Sequence, residues 1–344
     1  MDFLSFFIIC VKVLLVFAGT LLAVLIMVYA ERRVSAFMQG RLGPNRVGPQ
    51  GLLQPIADGI KFLMKEDIIP DGVNKPIYLL APVIMLIPAL MTFAVIPFGS
   101  TITLFDRDII LQVADVNIGI LYILALTSIG VYGIVLAGWA SNSKYTLIGG
   151  LRSSAQLISY ELALGLSVVS IILMSGSLRL NDIVADQQGY FLSWYVFKQP
   201  LAFLIFLIAT YAETNRLPFD LAEAEQELVG GYHTEYSSMK FAMFFMSEYA
   251  NMITAAALTV TLFFGGWDVP LLDEKSLGIW GAMLSVASFI LKMGFFLFLF
   301  IWIRWTFPRF RYDQLMKLGW KVLLPLSLVN IFITAGYLTL AALK

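Results

Sequence analysis

The stretch VLLVFAGTLLAVLIMVYAERR, residues 13–33, carries no charge for 18 residues and then ends in an acid and two arginines. An α-helix rises about 1.5 Å per residue, so about 20 apolar residues cross the roughly 30 Å hydrocarbon core of a bilayer. The run from Phe3 to Tyr29 is longer than a signal-peptide core and has no basic leader. We therefore expect a retained membrane helix here.

Seven further segments resemble the first. The chain has 344 residues, of which 59% are hydrophobic and 13% charged, with a mean hydropathy of +0.83. Soluble domains carry about 25% charged residues. The sequence predicts an all-α, polytopic membrane protein with about eight transmembrane helices in one membrane domain, 1–344. The predicted spans are 3–30, 77–98, 118–139, 155–175, 200–216, 242–265, 279–303 and 322–342.

The loops between these spans differ strongly in positive charge. Of the 23 Lys and Arg, 16 fall in loops on one side, near 31–76, 140–154, 217–241 and 304–321. The positive-inside rule places that side in the cytoplasm. Both termini are then expected on the outer, periplasmic side of a bacterial inner membrane.

The first of these loops contains an amphipathic segment, LLQPIADGIKFLMKED, at residues 52–67. Its apolar and polar residues recur at helical spacing and fall on opposite faces. At about 15 residues it is too short to span the membrane, so it should lie at the membrane interface.

The chain lacks the residues that several kinds of site require. Cys10 is the single cysteine and His233 the single histidine, which excludes an intrachain disulfide and clusters of Cys or His ligands. We find no GxGxxG and no P-loop pattern, so we expect no NADH, flavin or iron–sulfur chemistry on this chain. The formal net charge is zero, which gives no attraction to nucleic acid. We expect His233 to be a satisfied loop residue rather than a proton donor.

Three charged residues are expected deep within the predicted spans, namely Glu161, Glu248 and Lys292. A central charge costs about 2.5–3.5 kcal/mol even on lenient insertion scales, so these groups should face the interior of the bundle. One interpretation is a structural Lys–Glu bridge. The other is a proton-conducting polar path, since two acids and one base cannot all pair one to one.

Six of the chain's 23 acidic residues fall within residues 212–236, AETNRLPFDLAEAEQELVGGYHTEY. Asp220 followed by Glu223 fits a helix N-cap and an acid in the first turn. Capping leaves four acids without a local purpose: Glu213, Glu225, Glu227 and Glu235. A solvated acidic loop is one interpretation. Clustered carboxylates also raise one another's pKa, so a group that exchanges protons near neutral pH is the other.

A third polar group follows the first span. The positive-inside rule explains in part why arginines stand at positions 32 and 33, but it does not explain the acid Glu31 beside them. One interpretation is a polar pocket mouth open to lipid, formed by Glu31, the arginines and Asp58 of the amphipathic segment. The alternative is that these charges only mark the end of the membrane span.

Three long motifs resemble one family: AERRVSAFMQGRLGPNRVGPQGLLQPIADGIKFLMKED, GWASNSKYTLIGGLRSSAQLISYE and AETNRLPFDLAEAEQELVGGYHTEY. The family is the H-type membrane subunit of respiratory complex I, the proton-pumping NADH–quinone oxidoreductase, and the likeness runs along nearly the whole chain. It implies a quinone substrate, ubiquinone or menaquinone, with FMN and iron–sulfur clusters on partner subunits. The implied partners are peripheral-arm subunits, small membrane subunits, antiporter-like subunits and membrane lipid.

The resemblance also implies roles for particular residues. The quinone chamber would be lined or supported by Glu31, Arg32, Arg41, Asp58, Glu213 and Arg216. Proton coupling would involve Glu161, Asp220, Glu223, Glu225, Glu227, Glu235, Glu248 and Lys292. In this hypothesis, quinone enters near the first helix, and its reduction changes the charge that the buried carboxylates sense. No residue is expected to be catalytic in itself.

Three other functions remain open at this point. A related membrane component of a membrane-bound hydrogenase would share much of the sequence. A stand-alone ion transporter would transport as a single chain and would show internal repeats with broken helices, which are not evident. A purely structural anchor would use its buried acids for assembly alone.

Overall fold

The computed structural model describes residues 3–104, 107–221, 228–270, 272 and 278–343. The long helices are α1 (Phe3–Met38), α3 (Lys75–Met91), α4 (Gly119–Ala140), α5 (Lys144–Ser175), α8 (Pro200–Glu213), α9 (Ser238–Phe263), α10 (Ile279–Thr306) and α12 (Leu324–Ala342). The shorter helices are α2 (Gln54–Met64), α6 (Leu180–Asp186), α7 (Tyr195–Lys198) and α11 (Tyr312–Lys317).

The predicted all-α, polytopic membrane fold is confirmed. Within the described residues, seven helices are long and apolar enough to cross a membrane, and the run of helix from Tyr312 to Ala342 is one of them. The helix α8 has 14 residues and is about 21 Å long, which is shorter than the membrane core. It begins at a proline, and Gln199 before it has φ −134° and ψ 58°, because a residue that precedes proline avoids the helical region.

Two helices continue well beyond the spans expected from hydropathy. The helix α1 has 36 residues and is about 54 Å long, so it carries Glu31 past the end of its apolar run. The helix α5 has 32 residues and begins at Lys144, eleven residues before the apolar segment. Hydropathy marks the membrane-embedded part of a helix, and these helices continue into the polar region that holds the site.

The last span contains a π-helical segment, Leu318–Leu323, between α11 and α12. The Tyr160 hydroxyl donates a hydrogen bond to the Leu315 carbonyl oxygen at 2.9 Å. The indole nitrogen of Trp320 donates to the Ser159 hydroxyl at 3.0 Å. Through these two hydrogen bonds, side chains of α5 contact the segment around the widened π-helical turn. Such π-bulges are frequent near functional sites.

Close helix contacts are made by glycines. A Cβ atom on Gly138 of α4 would lie 3.2 Å from the Cα of Gly150 on α5. A Cβ atom on Gly149 would lie 2.8 Å from the Cα of Gly231, so this glycine admits the Gly231–His233 turn against α5. Membrane helices pack closely through such small residues, because the backbones gain dispersion contacts.

The segment between α3 and α4, expected from the sequence to be a loop, forms a β-hairpin. Strands β1 (Gly99–Leu104) and β2 (Arg107–Leu111) pair antiparallel, with Ile102 opposite Ile109. The backbone N–H of Ser100 donates to the Ser285 hydroxyl on α10 at 2.9 Å. The hairpin is therefore tied to α10 at the end of the bundle remote from Glu31.

Candidate functional site

A buried carboxylate on α1 joins four parts of the chain. The Nη1 atom of Arg216, in the loop after α8, lies 3.2 and 3.3 Å from the two oxygens of Glu31. The Tyr249 hydroxyl on α9 donates to Glu31 Oε2 at 2.8 Å. Arg304 on α10 donates from Nη1 to Glu31 Oε1. We call these four residues the Glu31 cluster.

The Glu31 cluster is shielded from solvent. Glu31 and Arg216 are each 7% exposed, and the Arg216 guanidinium lies 4.5 Å from the centre of the Tyr249 ring. A buried ion of one sign needs its partner, and removing one member of such a pair costs about 3–5 kcal/mol. Glu31 and Arg216 were predicted from the sequence, whereas Arg304 was counted only among the basic loop residues. Its position at the end of an apolar run was the available signal.

The next residue on α1 faces a different neighbour. Arg32 forms an ion pair with Asp58 of α2, and Gln54 donates to the second oxygen of Asp58 at 3.3 Å. Lys61 lies 3.7 Å from the same carboxylate. Successive helical residues are rotated by about 100°, which sends Glu31 inward and Arg32 toward α2. The side chain of Arg32 is 46% exposed, so this pair lies at the surface rather than in the core.

The helix α2 that carries Asp58 exposes its apolar face. Ile56, Ile60 and Leu63 are 50%, 56% and 66% exposed. Exposed apolar side chains beside membrane helices indicate contact with lipid or with another protein chain. The Arg32–Asp58 pair therefore borders a surface that apolar molecules can reach.

Arg41 does not join the other predicted chamber residues. Its Nε donates to Gln39 Oε1 at 2.7 Å, and both side chains lie in an exposed segment after α1. Within the described residues, Arg41 is thus separate from the Glu31 cluster.

A second polar site lies between α4, α5, α8 and α9. Glu161, Glu213 and Glu248 line one cavity together with Thr127 and Asn251. The cavity measures about 20 Å³, which is room for one water molecule. Three acids that share a small polar cavity can exchange a proton through such a water. We call this the carboxylate cavity.

Hydroxyl groups contact all three acids, and the one at Glu213 belongs to Thr127. The Ser128 hydroxyl on α4 donates to Glu161 Oε1. The Tyr232 hydroxyl donates to Glu248 Oε1 at 3.1 Å. Neutral donors of this kind stabilise an ionised carboxylate without fixing its charge as an arginine would. The Arg216 charge also acts on Glu248, so the carboxylate cavity and the Glu31 cluster share one guanidinium, while Glu31 has Arg304 as a second.

Hydrogen bonds from Gln156 and Arg309 hold the loop that connects the two sites. Gln156 of α5 is fully buried, and its Nε2 donates to the carbonyl oxygens of Ala212 and Phe219, each at 2.7 Å. Arg309 Nη2 donates to Asp220 Oδ2 at 2.9 Å, and Asp220 is 4% exposed. The predicted capping role of Asp220 also depends on residues 222–227, which lie outside the described part of the chain.

Lys292 does not lie with the buried glutamates of α5 and α9. Its Nζ donates to the carbonyl oxygens of Phe264, Gly266 and Asp268, at 3.0, 3.1 and 2.7 Å. The same atom lies 4.6 Å from the centre of the Trp194 ring. These carbonyls follow the end of α9, where the helix dipole favours a cation. The geometry thus gives Lys292 a helix-capping role.

The remaining predicted acids are placed as follows. The backbone carbonyl of Glu235 accepts a hydrogen bond from the Tyr78 hydroxyl at 2.7 Å, and its side chain is half-buried. Glu223, Glu225 and Glu227 fall within residues 222–227, outside the described residues. Their predicted part in proton coupling stays a prediction.

His233 is enclosed by aromatic rings. Its imidazole centre lies 5.3 Å from that of Phe241 and 5.8 Å from that of Phe245. Burial lowers the pKa of His233 to about 4, so the imidazole is neutral at physiological pH. His233 therefore packs among rings in the loop, but the expectation of a satisfied imidazole is wrong, because its buried Nδ1 has no hydrogen-bond partner among the described residues. In the described part of the chain, no three His, Cys, Asp or Glu side chains are grouped to hold a metal ion.

The sequence matches known proteins of one family. The model of the NADH dehydrogenase family matches residues 11–335. An H-type chain of NADH-quinone oxidoreductase from Geobacter sulfurreducens is 58% identical over 334 residues, covering 94% of this chain and 92% of the relative. Another H-type chain, from Koribacter versatilis, is 54% identical over 342 residues, covering 96% of each chain. NADH-quinone oxidoreductase subunit 8 of Rhodothermus marinus is 55% identical over 330 residues, covering 93% and 94%. The chain therefore belongs to the NADH dehydrogenase family, among the H-type membrane subunits of NADH-quinone oxidoreductase.

Proposed function

We propose that this chain is the membrane subunit of a proton-translocating NADH–quinone oxidoreductase in which a quinone chamber is coupled to buried carboxylates. The observation that carries the proposal is the short path between the two polar sites. Glu213 lines the carboxylate cavity, and Arg216, three residues later, contacts Glu31. Asn215 between them has φ 51°, so a tight turn directs the two side chains to different sites.

Quinone would enter from the bilayer between α1 and α2. The exposed Arg32–Asp58 pair and the apolar face of α2 suit a molecule with a polar headgroup and an apolar tail. The headgroup would then pass the Glu31 cluster toward partner subunits on the cytoplasmic side. Two electrons from their iron–sulfur clusters and two protons convert quinone to quinol.

The residues of this chain would sense that reaction through charge. A change of charge beside Glu31 alters its attraction to Arg216, and the loop that connects the two sites transmits the change to Glu213. A buried carboxylate titrates when a neighbouring charge changes, so a proton shifts among Glu213, Glu161 and Glu248. Asp220, the acids of 222–227 and Glu235 would extend this response at the cytoplasmic surface.

The proposal includes partners and location. Flavin and iron–sulfur clusters belong to peripheral subunits, and the carboxylate cavity faces small membrane subunits that lead to antiporter-like subunits. The chain lies in the bacterial inner membrane with both termini on the periplasmic side.

Isolation through an affinity tag on this chain tests the proposal. We expect flavin and iron–sulfur subunits to co-purify, and the assembly to reduce a quinone analogue with NADH. Hydrogen-dependent activity of the isolated assembly would indicate a hydrogenase complex instead. Ion transport by the purified single chain in vesicles would indicate a stand-alone carrier.

A further inference from the structure

A large apolar groove runs beside α1 from the end of the bundle near the hairpin toward the Glu31 cluster. Its volume is about 490 Å³, against about 20 Å³ for the carboxylate cavity. It lies between α1, α10 and the hairpin, and its lining includes Leu15, Gly19, Ala23, Phe93, Phe289 and Ile290. Binding sites for small molecules have volumes of this order and a mostly apolar lining.

One cation marks the end of this groove near the hairpin. Among the described residues that line the groove, Lys12 is the one with a positive charge. Its Nζ donates to the Gln112 carbonyl oxygen at 3.2 Å, and within the described residues it forms no ion pair. A carbonyl oxygen satisfies one of three ammonium donors and leaves the charge unmatched. The nearby Arg179, in contrast, is paired with Asp115.

The depth of Lys12 follows from its partners. The helix from Lys75 to Val95 has 21 residues and is about 30 Å long, equal to the thickness of the hydrocarbon core. The Gln112 side chain donates to the Val95 carbonyl oxygen, and the Gln112 carbonyl accepts from Lys12. The ammonium group therefore lies at the outer boundary of the hydrocarbon core, where lipid phosphates lie.

We propose that the groove binds a membrane phospholipid, with one acyl chain along α1 and the phosphate at Lys12. From Lys12 to Ile26, the residues of α1 that line the groove extend over about 21 Å. One leaflet is about 15 Å deep, so the groove holds an acyl chain over its whole length.

Charge distinguishes this occupant from an uncharged one. A quinone tail would fit the apolar lining, but it carries no charge to match Lys12. A phospholipid supplies both the chain and the anion.

Two variants test the two halves of the proposal in the assembled complex. A Cβ atom at Gly19 meets nothing within 4 Å, so Gly19→Phe fills the groove without a backbone clash. Lys12→Met removes the cation and keeps a long side chain, and Lys12→Arg restores the cation. Gly294→Phe is the matched control, because Gly294 is also open, lies on α10 and does not line the groove.

The probes are isotope-labelled phosphatidylglycerol and diacylglycerol with the same acyl chains, added to detergent-purified, delipidated complex. Retained lipid per complex is measured by mass spectrometry. We expect Gly19→Phe to lose one phosphatidylglycerol that the wild type and Gly294→Phe retain. Lys12→Met should bind it about fivefold more weakly, the effect of one lysine near a lipid surface, and Lys12→Arg should restore binding. Diacylglycerol should not distinguish wild type from Lys12→Met.

Three results would overturn the proposal. Equal phosphatidylglycerol retention in all the variants would show that the groove is not a lipid site. Loss of co-purified quinone in Gly19→Phe, with phospholipid unchanged, would assign the groove to a quinone tail. Loss of a membrane subunit in Gly19→Phe would assign it to a partner protein. Because lipid retention is measured without turnover, each result is independent of the proposed role in quinone reduction.

Discussion

Replacement of Glu31 by glutamine is expected to lower NADH-driven quinone reduction by the assembled complex at least about tenfold, which corresponds to about 1.4 kcal/mol. The change leaves Arg216 and Arg304 adjacent, without the carboxylate that both contact. A buried charge that loses its partner costs about 3–5 kcal/mol, so the loop that carries Arg216 should move away from α1. Ferricyanide reduction by the peripheral arm should be unchanged.

A double variant separates folding from function. Glu31→Gln with Arg216→Gln removes both members of the most buried pair, so assembly should recover relative to Glu31→Gln alone while quinone reduction stays low. The matched control is Glu66→Gln, because Glu66 is exposed beyond the end of α2. Full quinone reduction in assembled Glu31→Gln complex would refute a role of the Glu31 cluster in the chamber.

Replacement of Glu213 by glutamine is expected to abolish proton translocation. Glutamine keeps the shape of the side chain in the carboxylate cavity but cannot take up or release a proton there. The charge change on quinone reduction could then not be answered by a proton that moves between this position and Glu161 or Glu248. Quinone reduction should slow by about tenfold, because charge builds up beside the chamber.

Proton uptake by sealed vesicles, followed with a pH-sensitive dye, measures this effect beside NADH oxidation. Both quantities are needed, since the ratio of protons to NADH reports coupling independently of the amount of complex. Glu66→Gln should retain the wild-type ratio. An unchanged ratio in Glu213→Gln at full quinone turnover would remove the carboxylate cavity from the mechanism.

The fold could be predicted largely from apolar runs, because a membrane helix must satisfy its backbone within one continuous segment. The dependence on apolar runs also explains where the prediction of the fold failed. Hydropathy gave no signal that α1 and α5 continue past the membrane, since helix propensity in polar surroundings does not depend on apolar length. The hairpin was missed because its strands, of six and five residues, are short beside the apolar runs on which the prediction rested.

The candidate site could be predicted only in part. Glu31, Glu161 and Glu248 were singled out because a charge near or inside an apolar run needs a reason. Their partners could not be inferred, because Arg304 lies 273 positions from Glu31 along the chain. Such pairings depend on how the helices pack, which residue spacing within one helix does not encode.

The position of Lys292 along its helix did not predict its partners. Its distance along α10 suggested a central charge that would meet the buried glutamates. The chain after α9 folds back instead and presents three carbonyl oxygens to the ammonium group. Depth along one helix therefore gave the cost of burial but not the partner that offsets it.

In the proposed mechanism, quinone reduction changes the protonation of the carboxylate cavity. Infrared difference spectra of the assembled complex, recorded on reduction of bound quinone, measure this change directly. We expect a carboxyl C=O stretching band that responds to quinone reduction in the wild type and Glu66→Gln and is absent in Glu213→Gln. The same band at full intensity in Glu213→Gln, or no carboxyl band in the wild type, would contradict the proposed mechanism.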